Sequence, residues 1–144
     1  MADSHLVILK RPYLDLILTG RKTVESRFMR TKAPPFGRVN SGDRLFFKQS
    51  SGPVCAVASA GCVRFFDDLT AEKMAELKDR YNHLIRAADE YWQAMAGSRA
   101  GLLVWLRDVK KIEPVRIDKK DWRGWVVLTE QKNFGLYELF GSGG

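Results

Sequence analysis

Short apolar stretches, separated by turns rich in glycine and proline, follow one another along most of the chain. These stretches predict strands at residues 5–10, 23–28, 44–48, 54–66, 102–106, 111–117 and 125–128. One short helical stretch separates the first two strands, and the remaining helical pattern is confined to a segment after residue 67. Because strands and helices do not alternate regularly, a parallel sheet is disfavoured. The pattern predicts an α+β protein with a small, mixed, mostly antiparallel β-barrel flanked by short helices.

The boundaries of the predicted helices are marked by residues that commonly start or end helices. Pro12 suits the first helical position, and Gly20 suits the left-handed conformation that ends a helix. In the later segment, Thr70 and Asn82 are predicted to cap two successive helices, and Gly97 to end the second. The segment is therefore predicted to be a pair of helices inserted between strands.

Length and composition suit one domain in a reducing compartment. A chain of 144 residues with 45% hydrophobic residues can bury a core. We predict a single domain over residues 1–140, with the two-helix insert at about residues 69–97 and a flexible tail at residues 141–144. No apolar run approaches the roughly 18 residues of a membrane span, so no membrane contact is expected. Cys55 and Cys62 would face opposite sides of one strand, which predicts no disulfide and a cytoplasmic location.

Positive charge is concentrated in the first part of the chain. The net charge is +7, and residues 1–60 hold 10 lysines and arginines against 4 acidic residues. Between residues 20 and 48 only Glu25 and Asp43 are acidic. A local excess of this kind favours a polyanionic partner, with a merely solubilising surface as the alternative.

Residues 20–27 combine a helix end with a strand that carries opposite charges. Side chains alternate faces along a strand, so Thr23, Glu25 and Arg27 share one face, and Lys22 lies at the corner just before them. If this face is solvated, the segment is an ordinary edge strand. If it lines a cleft, the charges must pair with each other or bind a ligand, because an unpaired buried charge is costly.

The same stretch resembles the signature of the ASCH domain, in the form GxKxxExR at residues 20–27. The similarity continues in SGD at residues 41–43, KxSSGPV at residues 48–54 and RGWVVL at residues 123–128. This resemblance implies a PUA-like β-barrel whose motif lines a cleft. It also implies a role around RNA, since PUA-like folds recur in RNA-binding and RNA-modifying proteins.

The resemblance implies two enzymatic alternatives, both hydrolases. One branch of the family resembles amidohydrolases that remove the acetyl group of N4-acetylcytidine, and its motif lysine matches Lys22. The threonine nucleophile of that branch matches the position of Glu25, so this role does not carry over, and a further glutamate of the branch falls near Glu76. The other alternative is ribonuclease activity, which some members have. In either case Lys22 would be a base, and Glu25 an acid or a water-orienting group.

The first hypothesis is binding of RNA, a nucleotide or a modified nucleoside. Arg27 offers a bidentate fork to phosphate, and Glu25 can accept a hydrogen bond from an exocyclic amine of cytosine or adenine. An indole at Trp122 would either stack on a base or pack over the barrel end. The further candidate ligand-binding residues are Thr23 on the same strand face, Lys48 and Ser51 on a neighbouring strand, and Lys10, Trp122 and Arg123 at the rim.

Other classes of site have little support in the sequence. His5 and His83 have no cysteine or carboxylate partners at metal-ligand spacing, so we predict neither a metal site nor a cofactor. A protein-interaction domain that uses the two-helix insert is a third hypothesis, and an exposed apolar patch there would favour it. The oligomeric state is left open.

Overall fold

The computed structural model describes residues 2–118 and 123–142. Within these residues, strands and helices together account for most of the chain. Their order is β1 (Ser4–Leu9), α1 (Arg11–Leu18), β2 (Val24–Met29), β3 (Arg44–Gln49), β4 (Val54–Phe66), α2 (Ala71–Ile85), α3 (Asp89–Met95), β5 (Ala100–Val115), β6 (Trp125–Val127) and α4 (Leu136–Phe140).

The strands form one mixed sheet in the order β2-β5-β4-β3-β1-β6. The pair β1 and β3 is parallel, and the other neighbouring pairs are antiparallel. The sheet curves into a half-barrel with a few short helices, which confirms the predicted α+β class. In this order β2 is an edge strand, and its free edge faces the part of the fold where β1 ends.

Each face of the sheet is covered by a different set of helices. One side packs against α1, with Leu14 and Ile17 buried among residues of β1, β3, β4 and β5. On the opposite side, α2 and α3 cover β2 and β5 through Met74, Leu77 and Trp92. In the described part of the chain, none of these helices is long and apolar enough to cross a membrane.

The structure differs from the sequence-based prediction at the two-helix insert. Asn82 does not begin a helix, because α2 continues through it and ends before Arg86, which is left-handed with φ 61°. The Asn82 side chain instead exchanges two hydrogen bonds with the backbone of Ala87 and accepts one from Trp92 Nε1 at 3.0 Å. It therefore fixes the connection between α2 and α3, a role that depends on residues up to ten positions away.

The two late strands predicted at residues 102–106 and 111–117 are one continuous strand, β5. Asp108 is left-handed with φ 52°, and the register with β4 shifts where Ser59 pairs with Arg107. This irregularity absorbs the polar residues between the two apolar runs without ending the strand. The described chain closes with the short helix α4, which begins at Leu136.

A buried polar cluster connects β1 to the turn before β3 and to β6. His5 is fully buried, its Nε2 lies 2.8 Å from Asp43 Oδ2, and Trp125 Nε1 donates to its Nδ1 at 3.1 Å. An indole N–H can only donate, so Nδ1 is an acceptor and the ring is neutral with its proton on Nε2. Asp43 also accepts the backbone N–H groups of Asp3 and Asn40. The SGD segment therefore has a structural role.

Protonation of His5 is expected to destabilise the fold. Burial lowers the pKa of His5 from its ordinary value of 6.5, and Asp43 offsets only part of this effect. The unfolded chain then binds a proton at a higher pH than the folded chain. The free energy of unfolding should therefore fall as the pH decreases below about 6.5, down to the pKa of the folded state. Urea unfolding measured at a series of pH values tests this expectation.

The variant His5→Gln should be less stable at neutral pH but should show a shallower slope in this pH range. His83 is exposed on α2, so His83→Gln is the matched control and should keep the slope of the wild type. Equal slopes for His5→Gln and the wild type would show that another group causes the loss.

Candidate functional site

A cleft of about 650 Å³ lies between the edge strand β2, the end of β1, α1 and the insert helices. This volume is within the range of about 300–1,000 Å³ that is typical of small-ligand sites. Charged and hydroxyl-bearing side chains lie along β2, and aromatic and aliphatic side chains form the walls. Its lining residues include Lys10, Tyr13, Lys22, Glu25, Ser26, Arg27, Phe28, Ile85, Glu90, Tyr91 and Met95.

Lys22 reaches this cleft because the chain turns sharply after α1. Gly20 is left-handed with φ 77°, and the backbone N–H groups of Arg21 and Lys22 both donate to Leu16 O. The Lys22 side chain is buried, and its Nζ donates to Val24 O at 3.0 Å and to Ile85 O at 2.7 Å. The second bond connects the corner before β2 to the end of α2. Lys22 therefore joins the sheet to the helical insert.

Glu25 lies next to Lys22 and is 4% exposed. Its Oε1 accepts the backbone N–H of Ser26 at 2.8 Å and lies 3.5 Å from Lys22 Nζ. Its Oε2 lies 3.5 Å from Arg27 Nη2. In the described part of the chain, Oε2 is the buried side-chain polar atom that has no hydrogen-bond partner. This oxygen therefore has an ion-pair partner but accepts no hydrogen bond within the described protein.

The surroundings keep Glu25 ionised. Burial alone would raise its pKa, but the charges of Lys22 and Arg27 and the Ser26 N–H hold the pKa below its ordinary value. The site therefore presents a negative acceptor between two positive groups. Such an acceptor makes shorter and stronger hydrogen bonds than a neutral one.

Arg27 bridges the gap between β2 and the opposite part of the sheet. Its Nη2 donates to Ile8 O at 3.1 Å, and its Nη1 donates to Gly124 O at 3.3 Å. Its guanidinium carbon also lies 5.4 Å from the centre of the Trp125 ring. The side chain remains 24% exposed, so Arg27 both closes the half-barrel and borders the cleft.

A pair of hydroxyl groups lies beside the charged residues. Ser26 Oγ and Tyr91 Oη are 2.9 Å apart, which connects β2 to α3. Burial raises the pKa of Tyr91 to about 12, although the hydrogen bond with Ser26 acts in the opposite direction. Tyr91 therefore remains a neutral phenol at physiological pH and can donate or accept a hydrogen bond.

The structure brings together some of the predicted site residues and separates others. Lys10, Lys22, Glu25 and Arg27 line one cleft. Among the residues outside its lining, Thr23 contributes its backbone to Leu84 and Leu106. Lys48 also lies outside the lining, and its Nζ donates to Gln49 O, while Ser51 is left-handed in the turn between β3 and β4. Arg123 precedes Gly124, whose carbonyl accepts from Arg27. Glu76 is exposed on α2. Trp122 lies outside the described residues.

Several residues of the cleft were missed by sequence reasoning. Tyr13 lies on α1 with its ring centre 5.7 Å from Lys22 Nζ, and Tyr91 and Glu90 come from the insert. Ile85 has a buried apolar side chain, and its backbone carbonyl accepts a hydrogen bond from Lys22. The only sequence signal for Tyr91 is a hydroxyl-bearing residue next to the core residue Trp92. The insert is therefore one wall of the site.

Comparison with known proteins defines the class of this fold. The sequence matches no protein-family model and no curated protein. The chain nevertheless has the fold of ASCH-domain structures. The structure of ASCH from Zymomonas mobilis matches with a TM-score of 0.70 and 17% identity over 95% of both chains.

Two mutant proteins of the Zymomonas mobilis ASCH also match this chain. Their TM-scores are 0.69 and 0.71, at 17% and 18% identity, over 95% of this chain and 98% and 96% of theirs. At this level of identity the similarity shows the fold alone. The predicted resemblance to the ASCH domain is therefore confirmed at the level of the fold.

Proposed function

We propose that this protein is a cytoplasmic RNA- or nucleotide-binding domain of ASCH type that acts in RNA metabolism. The cleft would take one unstacked nucleobase, whose N–H edge donates to Glu25 Oε2. The observation that carries the proposal is this buried oxygen of an ionised residue that lines the cleft: it has no hydrogen-bond partner in the described residues and only an ion-pair contact of 3.5 Å with Arg27.

The chemistry around Glu25 suits a nucleobase. Exocyclic amines and ring N–H groups are the donors that carboxylates accept when proteins read base edges. Arg27 adds a donor 3.5 Å from the same oxygen, so an acceptor and a donor are adjacent, as they are on the Watson–Crick edge of a base. The rings of Tyr13 and Phe28 are among the cleft walls against which a base can pack.

The charge distribution suits a polyanion. Two further cations, Lys10 and Lys22, line the same cleft as Arg27, and the chain carries a net charge of +7. PUA-like folds recur around RNA, and this resemblance is consistent with the positive charge at the cleft.

The contacts of Lys22 favour binding over catalysis. Its ammonium group has three acceptors within reach, namely the carbonyls of Val24 and Ile85 and the carboxylate of Glu25. All of its donor capacity is thus used within the protein.

Among the described residues, the exposed large hydrophobic side chains are Phe65, Leu139 and Phe140, which lie outside the insert helices. The insert therefore gives no support to a protein-interaction surface.

A labelled short single-stranded RNA should bind the full chain at low salt. Fluorescence anisotropy at a series of salt concentrations should give an affinity that falls with a slope of about −0.7 per phosphate contacted. An unlabelled nucleoside with a free N–H edge should compete, whereas a nucleoside methylated on that edge should not. An RNA that does not bind at low salt would contradict the proposal.

A further inference from the structure

A second cavity, of about 530 Å³, lies at the end of β2, where β5 begins. Its walls come from the start of α2, the residues after α3 and the first residues before β5. The lining residues are Arg30, Leu69, Thr70, Ala71, Ala96, Gly97, Ser98 and Arg99. We refer to it as the arginine cavity.

The arginine cavity is positively charged and has no acidic lining residue among those described. Arg30 and Arg99 are both exposed, and no described residue forms a salt bridge with either side chain. Two guanidinium groups of this kind, together with the hydroxyl-bearing Thr70 and Ser98, suit an anion with several acceptor oxygens.

Gly97 allows one of these arginines to lie close to the backbone. A Cβ atom at this position would come within 2.9 Å of Arg30 Nη2. The guanidinium group of Arg30 therefore rests on the backbone of residue 97, in space that any other residue would occupy. Arg99 is held nearby, because its backbone N–H donates to Met29 O at 2.9 Å.

The arginine cavity adjoins the proposed base-binding cleft. Phe28 lines the cleft, and Arg30, two residues further along the chain, lines the arginine cavity. Two residues of extended chain span about 6.6 Å. On the other side, Met95 lines the cleft and the next residue, Ala96, lines the arginine cavity. The two linings are therefore adjacent along two segments of the chain, which is the observation that points to one extended ligand.

We infer that the arginine cavity is a phosphate subsite, which binds a backbone phosphate next to the nucleotide whose base lies in the cleft. The inference rests on the proposed function and narrows it, because the ligand is then an oligonucleotide. A free nucleoside would fill only the cleft. Inorganic phosphate has the same chemistry as the backbone group and should occupy the subsite weakly.

The test compares a short single-stranded RNA with a free nucleoside on the full chain and on the double variant Arg30→Ala/Arg99→Ala. The double variant should lose about tenfold or more in RNA affinity, and the magnitude of its salt slope should fall by about 0.7, as expected for one phosphate contact. Its nucleoside affinity should stay at the wild-type value. Inorganic phosphate should compete with RNA on the wild type and should compete less on the variant.

The matched control is Arg107→Ala/Arg116→Ala, which removes the same charge from two exposed arginines, one in the middle of β5 and one just after its end. If both double variants lose RNA affinity equally, the effect is one of net charge, and the phosphate subsite is refuted. If neither double variant loses RNA affinity while RNA and nucleoside still bind, only the subsite is refuted. If the wild type binds neither ligand, the proposed function fails as well.

Discussion

Replacing Lys22 by methionine is expected to lower the free energy of unfolding by about 3–5 kcal/mol, because it removes the buried one of the two cations that pair with the buried Glu25 carboxylate. Glu25 would remain ionised and 4% exposed, with Arg27 and one backbone N–H near it. The carbonyls of Val24 and Ile85 would lose a donor as well. Urea unfolding near neutral pH measures the difference.

The double variant Lys22→Met/Glu25→Gln should recover part of this loss, since no charge that depended on Lys22 remains buried. Lys73→Met is the matched control, because its partner Asp68 is exposed and the pair lies on the surface, and its effect should be within experimental error. A double variant no more stable than Lys22→Met would mean that the two carbonyl hydrogen bonds, and not the ion pair, carry the effect.

The dependence on pH gives a second measurement of the same pair. The pKa of Glu25 is held below its ordinary value of 4.5, so its contribution to stability is present above that value and is lost as the pH falls through the pKa of the folded state. The difference between the wild type and Lys22→Met should therefore narrow in acid, where a protonated Glu25 no longer needs a cation. A constant difference would argue against this account.

Changing Glu25 to glutamine is expected to weaken RNA binding by about 10- to 100-fold, because this is the loss of affinity that corresponds to one charge-assisted hydrogen bond. If the new amide keeps its oxygen on the Ser26 N–H, its nitrogen takes the place of Oε2. The atom that faces the ligand then changes from an acceptor to a donor. Anisotropy titrations of wild type and variant, with circular dichroism to verify folding, measure the loss.

Glu90 provides a matched control for this change. It lines the same cleft but is exposed on α3, so Glu90→Gln removes the same charge without removing a buried acceptor. Its RNA affinity should remain near that of the wild type or rise slightly, since the cleft becomes more positive. Equal losses for the two variants would exclude a specific role for Glu25 Oε2.

The sequence predicted the motif at residues 20–27 more accurately than its surroundings. Alternation along a strand placed Glu25 and Arg27 on one face, and Gly20 was assigned to the helix end, because both depend on local backbone geometry. The roles of Asn82 and Tyr91 could not be obtained in this way. Tyr91 depends on α3 packing against a strand more than fifty residues away, and Asn82 depends on α2 and α3 packing against each other. No local sequence pattern encodes either contact.

The pattern of charged residues in the sequence showed that residues 20–48 carry a net positive charge, but it did not show where each charged side chain lies in the fold. The positive residues between 20 and 48 suggested one patch, yet they serve different purposes in the fold. Lys22 is buried, and Arg44 donates to the carbonyls of Phe140 and Gly141 next to α4. Arg30 instead lies in the arginine cavity. A charge count cannot separate these roles, since each depends on the acceptors that folding brings close.

The sequence by itself determined the α+β class, the mixed and mostly antiparallel character of the sheet and the identity of the charged residues in the motif, because backbone preferences and side-chain alternation act over a few residues. Only the tertiary structure decided that the insert forms a wall of the cleft and that Ile85 accepts from Lys22. It also decided that one oxygen of Glu25 has no hydrogen-bond partner in the described residues. Such outcomes depend on burial and on contacts between distant segments, and these set which polar groups are satisfied within the protein and which are available to a ligand.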